Sequence, residues 1–402
     1  MEKIVITGAG VVSALGIGKE DTYKAFVNRR SGVEPIKYLK TSHTYLPVGE
    51  VKYSSEELCD MLNIPQSEAC IRSSLIAIPA VSEAIRQAKI EDRSGLKVAF
   101  LSGITVGGMD KAEEYYADFL NNNSKNAYIE LNDCGACTEQ IADYFGGFQI
   151  VSTIVTACSS SANTIMMGAD MIRCGKADVV IAGGCECLSR YHVNGFNTLM
   201  ILDKELCKPF DRDRAGINLG EGAGYIVLES AENAKKRGVS PIAVLSGYYN
   251  ACDAFHTTAS SPDGLGPYLA MKGALENAGL KPEDIDYLNA HGTGTPNNDL
   301  TEGVAIMRLF GENIPPVASI KAFTGHTTSA AGGFEAVVSI LAIQNDFLPV
   351  NLNFRNRIEE LNFSPVTVYE YLRPIRHVLS NSFGFGGNDS AIVFSSFDKI
   401  NL

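Results

Sequence analysis

The chain alternates short apolar runs, which are typical of buried strands, with longer stretches in which apolar residues recur at helical spacing. In the first half, the apolar and β-branched runs predict strands near residues 3–8, 97–102, 151–156, 178–183 and 223–229. Apolar residues three and four positions apart predict helices near residues 20–28, 71–89, 136–144 and 159–174. Strands that alternate with helices indicate an α/β fold.

A second series of elements of the same kind begins near residue 241. It predicts strands near residues 241–245, 286–290, 316–320, 376–383 and 390–396, and helices near residues 266–279 and 331–345. We therefore predict two α/β halves, residues 1–240 and 241–402. No residue-by-residue repeat accompanies them, so the similarity of the halves rests on the order of their elements.

One predicted junction between a strand and a helix carries a thiol. The β-branched run 151–155 ends just before Cys158, and a helical pattern begins directly after it. Backbone N–H groups and the positive end of the helix dipole favour a thiolate at such a position. The small serines 159–161 are expected to leave room for a substrate. The junction is typical of a catalytic nucleophile mounted on a turn.

Two histidines and a lysine follow predicted strands of the second half. His291 comes after the run 285–290, and Lys321 and His326 come after the run 316–320. Taken singly, each histidine can be a hydrogen-bonded structural residue and the lysine a solvated surface charge. Because ligand sites of α/β sheets gather at the carboxyl ends of strands, the three residues can also share one site with Cys158.

Two glycine-rich segments have competing interpretations. Residues 8–13 follow the first strand, but Ser13 replaces the third glycine of a dinucleotide fingerprint and no acidic strand end follows, so we predict a tight turn. Residues 383–388 link two apolar runs without the lysine of a phosphate-binding loop. They are either a plain hairpin connection or a place where the backbone approaches a ligand closely.

Composition and charge exclude several classes of function. A net charge of −12 argues against nucleic-acid binding, and no apolar run reaches the roughly 20 residues that cross a bilayer. The N-terminus has no signal-peptide pattern, so we expect a soluble cytoplasmic protein. The ten cysteines are scattered, and the CxxC pair Cys134 and Cys137 stands alone, so we expect no metal site.

Several motifs, in order along nearly the whole chain, resemble those of the β-ketoacyl-acyl carrier protein synthases of the elongating type II branch. The motifs are IVITGAGVVSALG, TACSSSANTI, KADVVIAGGCE, PFDRDRAGINLGEGAG, NAHGTGTPNND, SIKAFTGHTTSAAGGFEA and NSFGFGGNDSAIVF. The resemblance implies a thiolase fold, with two similar α/β halves, mixed five-stranded sheets, and helices layered between and outside them. It also implies a homodimer, with a heterodimer with a related synthase as the other possibility.

The resemblance further implies a catalytic set and a reaction. Cys158 would accept an acyl group, and His291, His326 and Lys321 would complete the site, with Glu335 buried beside it. The reaction would be a decarboxylative condensation of the acyl group with a malonyl group, both delivered by acyl carrier protein, in fatty acid elongation. It requires no metal or redox cofactor.

The same resemblance assigns residues that would contact the substrate. Thr293 and Thr295 would line the channel for the pantetheine arm. Phe385 would act as a gate, and its backbone N–H would form an oxyanion hole with that of Cys158. Val106 would contribute to the acyl pocket across a dimer interface.

Departures from the family pattern leave alternatives open. The serine run after Cys158 is also typical of polyene and polyketide ketosynthases, and Arg72 is the only evident basic residue where the family often has several for docking the carrier protein. A non-catalytic chain-length-factor partner would lack the cysteine that this chain keeps. A thiolase would carry a second catalytic cysteine, and residues 381–388 contain none.

Overall fold

The computed structural model describes residues 2–67, 69–119, 121, 126–368 and 374–399. The strands are β1 (Ile4–Ser13), β2 (Gly16–Ile17), β3 (Glu34–Pro35), β4 (Pro47–Val48), β5 (Val98–Gly103), β6 (Ile150–Ile154), β7 (Val179–Glu186), β8 (Gly222–Ser230), β9 (Ala243–Cys252), β10 (Tyr287–Asn289), β11 (Val317–Ala318), β12 (His377–Gly384) and β13 (Asn388–Ser395). The helices are α1 (Lys19–Val27), α2 (Ser55–Leu62), α3 (Arg72–Ala88), α4 (Met109–Phe119), α5 (Ala127–Glu130), α6 (Cys134–Phe145), α7 (Ser160–Arg173), α8 (Arg190–Thr198), α9 (Ala231–Arg237), α10 (Leu265–Ala278), α11 (Pro296–Phe310), α12 (Lys321–Thr324) and α13 (Ala331–Asn345).

Apart from the short β2, which pairs with β1, the large sheet consists of two sets of five strands with the same topology. The first set is ordered β1-β8-β7-β5-β6 and the second β9-β13-β12-β10-β11, so both run first, fifth, fourth, second, third along their half of the chain. The first two pairings in each set are antiparallel and the last two are parallel. The predicted fold of two similar halves with mixed five-stranded sheets is therefore confirmed.

The two sets of strands are joined edge to edge. Strands β1 and β9 pair antiparallel over three residues, from Ile4 opposite Leu245 to Ile6 opposite Ala243, so hydrogen bonding continues from one half into the other. The predicted boundary at residue 240 falls in the connection between α9 and β9.

Helices α7 and α13 form the layer between the halves, and they pack against each other and against the strands of the sheet. Helix α13 is buried on every face from Ala331 to Ile343, as expected for a helix that is apolar all round. Helix α3 covers β1, β8 and β7 on an outer face, and α10 covers β9 and β13 in the equivalent place. Because α7 and α13 follow β6 and β11, their N-termini come from equivalent strands of the two halves.

The predicted tight turn at residues 8–13 is wrong, because β1 continues to Ser13. The glycines of β1 allow a helix to pack closely on the strand. A Cβ atom on Gly10 would lie 2.0 Å from the carbonyl oxygen of Ala80, and one on Gly8 would lie 2.2 Å from that of Ala84. Helix α3 therefore rests directly on the backbone of the strand.

We expect Gly10→Ala to destabilise the fold by about 2 kcal/mol or more, because the added methyl group has to push α3 off the strand. Gly195→Ala is the matched control, since no atom lies within 4 Å of the position a Cβ would take there. In helix α8 this change should be neutral or stabilise by up to about 1 kcal/mol. Urea denaturation measures both, and equal midpoints for the two variants would contradict the packing argument.

Sequence periodicity missed several helices, including α8 and α11. Helix α11 has ordinary start signals, since Pro296 is its first residue and the Asn298 N–H donates to the Thr295 hydroxyl at 3.4 Å. None of the helices within the described ranges is both long and apolar enough to cross a membrane.

Candidate active site

Cys158 lies on the turn between β6 and α7, as predicted from the sequence. Hydroxyl groups hold this turn, in which Ala157 has a positive φ of 51°. Ser160 Oγ accepts a hydrogen bond from the Thr156 N–H at 2.9 Å and donates to the Ala157 carbonyl at 2.6 Å, while Ser159 Oγ donates to the Thr156 carbonyl at 2.8 Å. The expectation that the serines leave room for substrate is wrong, because all three are buried and none lines the cavity described below. Ser161 Oγ instead accepts from the Gly333 N–H of α13 at 2.8 Å.

His326 lies against the thiol of Cys158. Its Nε2 atom is 3.1 Å from the Cys158 sulfur. The backbone of His326 is fixed by the segment before β8, because its N–H donates to the Asn218 carbonyl at 2.7 Å and its carbonyl accepts from the Gly220 N–H at 2.9 Å. The loop after β11 and the turn after β6 are thereby brought together across the middle layer.

Lys321 is only 2% exposed, so its interpretation as a solvated charge is wrong. Its Nζ atom donates to Glu335 Oε1 at 2.5 Å and to the His291 carbonyl at 2.5 Å, and it lies 3.4 Å from His291 Nδ1. The other carboxylate oxygen of Glu335 accepts from Ser382 Oγ at 3.2 Å. The lysine therefore joins α12, α13 and the loop after β10.

The contact with Lys321 determines which nitrogen of His291 carries the proton. A lysine ammonium group only donates, so Nδ1 of His291 accepts and Nε2 carries the hydrogen. The rings of His291 and His326 lie edge to face, with centroids 5.3 Å apart. Burial, reinforced by the charge of Lys321, lowers the pKa of both imidazoles well below its ordinary value. Both are neutral at neutral pH.

Glu302 on α11 is a residue that the sequence analysis missed. Its carboxylate accepts from the N–H groups of His291 and Gly292 at 2.9 and 2.7 Å and from Asn381 Nδ2 at 3.0 Å. Burial raises its pKa to about 7. The sequence does contain a signal for Glu302, because it is an acidic residue on the apolar face of a helix that begins at Thr295-Pro296.

Phe385 approaches Cys158 through its backbone. Its N–H group faces the thiol and acts to lower the pKa of that thiol. The preceding residue has to be glycine, because a Cβ atom on Gly384 would lie 2.9 Å from the Thr156 carbonyl oxygen and 3.1 Å from the Cys158 nitrogen. The Phe385 ring stacks on Phe196, with centroids 5.8 Å apart. The glycine-rich segment is thus both a hairpin connection and a close approach to the thiol.

The thiol opens onto a cavity of about 370 Å³, a volume that suits a small-molecule substrate. The residues that line it are Cys158, Phe196, Met200, Ile201, Ile217, His256, Thr258, Ala259, Ser260, His291, Thr293, Thr295, Pro296, Asn297, Asn298, His326, Phe383, Gly384, Phe385, Gly386 and Gly387. Thr293 and Thr295 are therefore at the cavity. Val106 lies outside this lining, where its N–H donates to Glu186 Oε1 at 3.3 Å.

Burial determines the resting state of Cys158, whose residue is 7% exposed. It raises the pKa of the thiol to about 11, although Lys321 and the Phe385 N–H oppose the rise. The sequence argument from the helix N-terminus expected a thiolate, and in the folded protein desolvation outweighs that effect. A neutral thiol has to lose its proton to become a good nucleophile, and His326 Nε2 lies 3.1 Å from the sulfur.

The family follows from comparison with known sequences. Residues 1–234 match the family model described as beta-ketoacyl synthase, N-terminal domain, and residues 242–355 match its C-terminal domain. The chain belongs to the β-ketoacyl synthase family. The synthase is thus an acyl-transferring condensing enzyme.

Relatives and solved structures match the synthase along nearly its whole length. Nodulation protein E of Rhizobium meliloti is 33% identical over 98% of both chains. The 3-oxoacyl-[acyl-carrier-protein] synthase 2 of Staphylococcus aureus strain N315 is 31% identical over 99% of both. The solved ishigamide ketosynthase/chain length factor structure is 30% identical and superposes with a TM-score of 0.90, over 98% of this chain and 99% of that one.

Arg72 of the synthase does not offer a docking charge for a carrier protein. Its guanidinium is buried and donates to both carboxylate oxygens of Glu221, through Nε at 3.2 and 3.0 Å. The one basic residue that the sequence shows in this region is therefore engaged in an internal ion pair. The side chain ties the start of α3 to the segment before β8.

The remaining cysteines of the synthase are mainly core residues. Cys137 and Cys185 are buried with their sulfur atoms 3.8 Å apart, and Cys134 is half-buried. Over the described part of the chain, no group of three or more His, Cys, Asp or Glu side chains could hold a metal ion.

Proposed function

We propose that the chain is a cytoplasmic β-ketoacyl-acyl carrier protein synthase that elongates fatty acids. It would transfer an acyl group from a carrier protein to Cys158 and condense it with a malonyl group on a second carrier protein. One observation carries the proposal: a thiol, two neutral imidazoles and a backbone N–H converge at one end of a single cavity.

In the first step the Cys158 sulfur attacks the acyl thioester. The thiol proton passes to His326 Nε2, 3.1 Å away, and from there to the departing pantetheine thiolate. The negative oxygen of the tetrahedral intermediate is stabilised by the N–H groups of Cys158 and Phe385. Loss of one such donor typically costs about 3–4 kcal/mol of transition-state stabilisation.

In the second step the malonyl thioester loses carbon dioxide, and an enolate forms. The enolate oxygen accepts from His291 Nε2–H, whose tautomer Lys321 sets. His326 Nδ1 has no hydrogen-bond partner within the described chain, so its ring can carry the proton on either nitrogen. It can therefore accept from the thiol first and donate to the enolate later. The carbanion attacks the acyl carbonyl, and the Cys158 thiolate leaves.

The relatives support this proposal and also favour a second candidate. The Staphylococcus aureus relative is named 3-oxoacyl-[acyl-carrier-protein] synthase 2, which agrees with the first candidate. The solved ishigamide structure pairs a ketosynthase with a chain length factor. A polyene or polyketide ketosynthase is therefore the second candidate, and it would act as a heterodimer rather than the homodimer expected for elongation.

A reconstitution with purified proteins tests the proposal. The chain alone, given an acyl-carrier protein and malonyl-carrier protein, should form a β-ketoacyl product two carbons longer, as read by mass spectrometry. Acetyl-coenzyme A in place of malonyl-carrier protein should give no product, because no decarboxylation then generates the carbanion. Condensation with acetyl-coenzyme A would identify a thiolase instead. Activity that appears only after addition of a chain length factor would favour the second candidate.

A further inference from the structure

A buried carboxyl group lies directly after the loop that carries Phe385. Asp389, in the second position of β13, is 1% exposed, and its Oδ2 atom has no hydrogen-bond partner within the described chain. A buried polar atom without a partner is costly, so such groups in native proteins call for an explanation. The catalytic steps described above do not use this carboxyl group.

Asp253 faces the same space from the end of β9. A Cβ atom on Gly266, in the first turn of α10, would lie 2.1 Å from Asp389 Oδ2 and 2.9 Å from the Asp253 Cβ. The two acidic residues therefore approach each other beside that turn. The Asp253 carboxylate already accepts from the Ser261 N–H at 2.7 Å.

The charged groups that face Asp389 are all acidic. Asp253 comes from the end of β9 and Glu302 from α11, while α10 presents its N-terminal backbone. Burial, and then the charges of Asp253 and Glu302, raises the pKa of Asp389 to about 8. Near neutral pH the Asp389 carboxyl is therefore mostly protonated and can donate a hydrogen bond.

The two acidic residues lie where two cavity loops are tied together. The Asp253 N–H donates to the Gly387 carbonyl at 2.9 Å, and the Gly386 N–H donates to the Thr257 carbonyl at 2.8 Å. Both loops line the cavity, one through residues 256–260 and the other through residues 384–387. Any force between Asp253 and Asp389 therefore acts on the loop that delivers the Phe385 N–H to Cys158.

We infer that Asp253 and Asp389 act as positioning residues, and that a neutral Asp389 carboxyl beside Asp253 lets the Phe385 loop stay against Cys158. Two carboxyl groups that approach each other rarely both ionise, and a proton on one of them removes their repulsion. When that proton leaves for solvent at alkaline pH, the two negative charges repel and the loops separate. The loop motion stands on this geometry alone, whereas its effect on acyl transfer rests on the proposed function.

The direction of the pH effect follows from the raised pKa of Asp389. The folded arrangement binds a proton that a solvated aspartate would release, so the closed loop is favoured below about pH 8 and is lost as the pH rises through that value. Repulsion requires both charges. Either Asp389→Asn or Asp253→Asn should therefore remove the effect, since asparagine has a similar shape and no charge.

Two readouts test the inference. For the wild type, kcat/KM for acyl transfer should fall several-fold, at most about tenfold, between about pH 7 and pH 9, because a group with a pKa near 8 loses most of its proton in that range. Hydrogen–deuterium exchange of the peptide with residues 384–388, corrected for the intrinsic rise of amide exchange with pH, should increase over the same range. Asp389→Asn and Asp253→Asn should abolish both changes while keeping the activity at pH 7. The control is Asp263→Asn, which alters an exposed acidic residue just before α10. This variant should still show both the alkaline fall in kcat/KM and the rise in exchange.

An unchanged alkaline fall in both asparagine variants would overturn the inference, as would a wild-type loop whose corrected exchange does not rise. Comparison of variants at one pH cancels the intrinsic exchange rate. The exchange measurement does not require the enzyme to turn over. If the chain catalysed no condensation, the proposed function would be refuted, but the exchange measurement would still test the loop motion.

Discussion

Cys158→Ala should abolish acyl transfer from an acyl-carrier protein, with a loss of about a thousandfold or more, as for other covalent nucleophiles. Of the ten cysteines, Cys158 is the one that lines the cavity. Cys207 is buried, and burial raises its pKa to about 12, while Cys174 and Cys252 are exposed. No other thiol in the described structure is placed to take over the acyl group.

Mass spectrometry of the intact protein measures this prediction, because a bound acyl group adds its mass to the chain. The wild type and the control Cys252→Ala should both show the added mass, and Cys158→Ala should not. The fold should tolerate the change, since the hydrogen-bond contact that the thiol makes within the described chain is the one with His326 Nε2. An acyl adduct on a correctly folded Cys158→Ala protein would place the nucleophile elsewhere.

Lys321→Met should lower both the free energy of unfolding and the rate of condensation. The change leaves the Glu335 carboxylate buried without its counter-charge, which we expect to cost about 3 kcal/mol. This cost is at the low end of the range for breaking a buried ion pair. The reason is that burial already raises the pKa of Glu335, and the carboxyl group can therefore take up a proton when Lys321 is lost. Loss of the donor to His291 Nδ1 also frees the tautomer, and we expect condensation to fall by about a hundredfold.

A double variant separates the two effects. Lys321→Met combined with Glu335→Leu removes both charges and should recover most of the stability, because an apolar pair satisfies the buried site. It should not recover condensation, since His291 still lacks its partner. The exposed pair of Lys24 and Glu20 is the control, and Lys24→Met should leave the stability nearly unchanged. If the double variant recovered condensation as well, Lys321 would act only through stability.

Much of the fold follows from apolar spacing. The helices predicted at 266–279 and 331–345 are found at Leu265–Ala278 and Ala331–Asn345, because their apolar residues recur over several turns. The first strand was predicted too short, since its glycines indicate a turn unless the helix that lies on them is known. Helix α8 has little apolar repetition of its own, and its packing against the rest of the chain stabilises it.

The sequence by itself determined the candidate chemistry: a thiol on a strand-to-helix turn, and Lys321 and two histidines at or just beyond strand ends. It could not determine that Lys321 is buried against Glu335, that Glu302 holds the His291 loop, or that Asp253 and Asp389 approach each other. The contact between Cys158 and His326 likewise joins residues 168 positions apart. Only the tertiary structure decided them, because packing α7 on α13 joins the equivalent strand ends of two similar halves. Burial in the tertiary structure also raises the pKa of Cys158, which therefore rests as a thiol and not as the thiolate expected from the sequence.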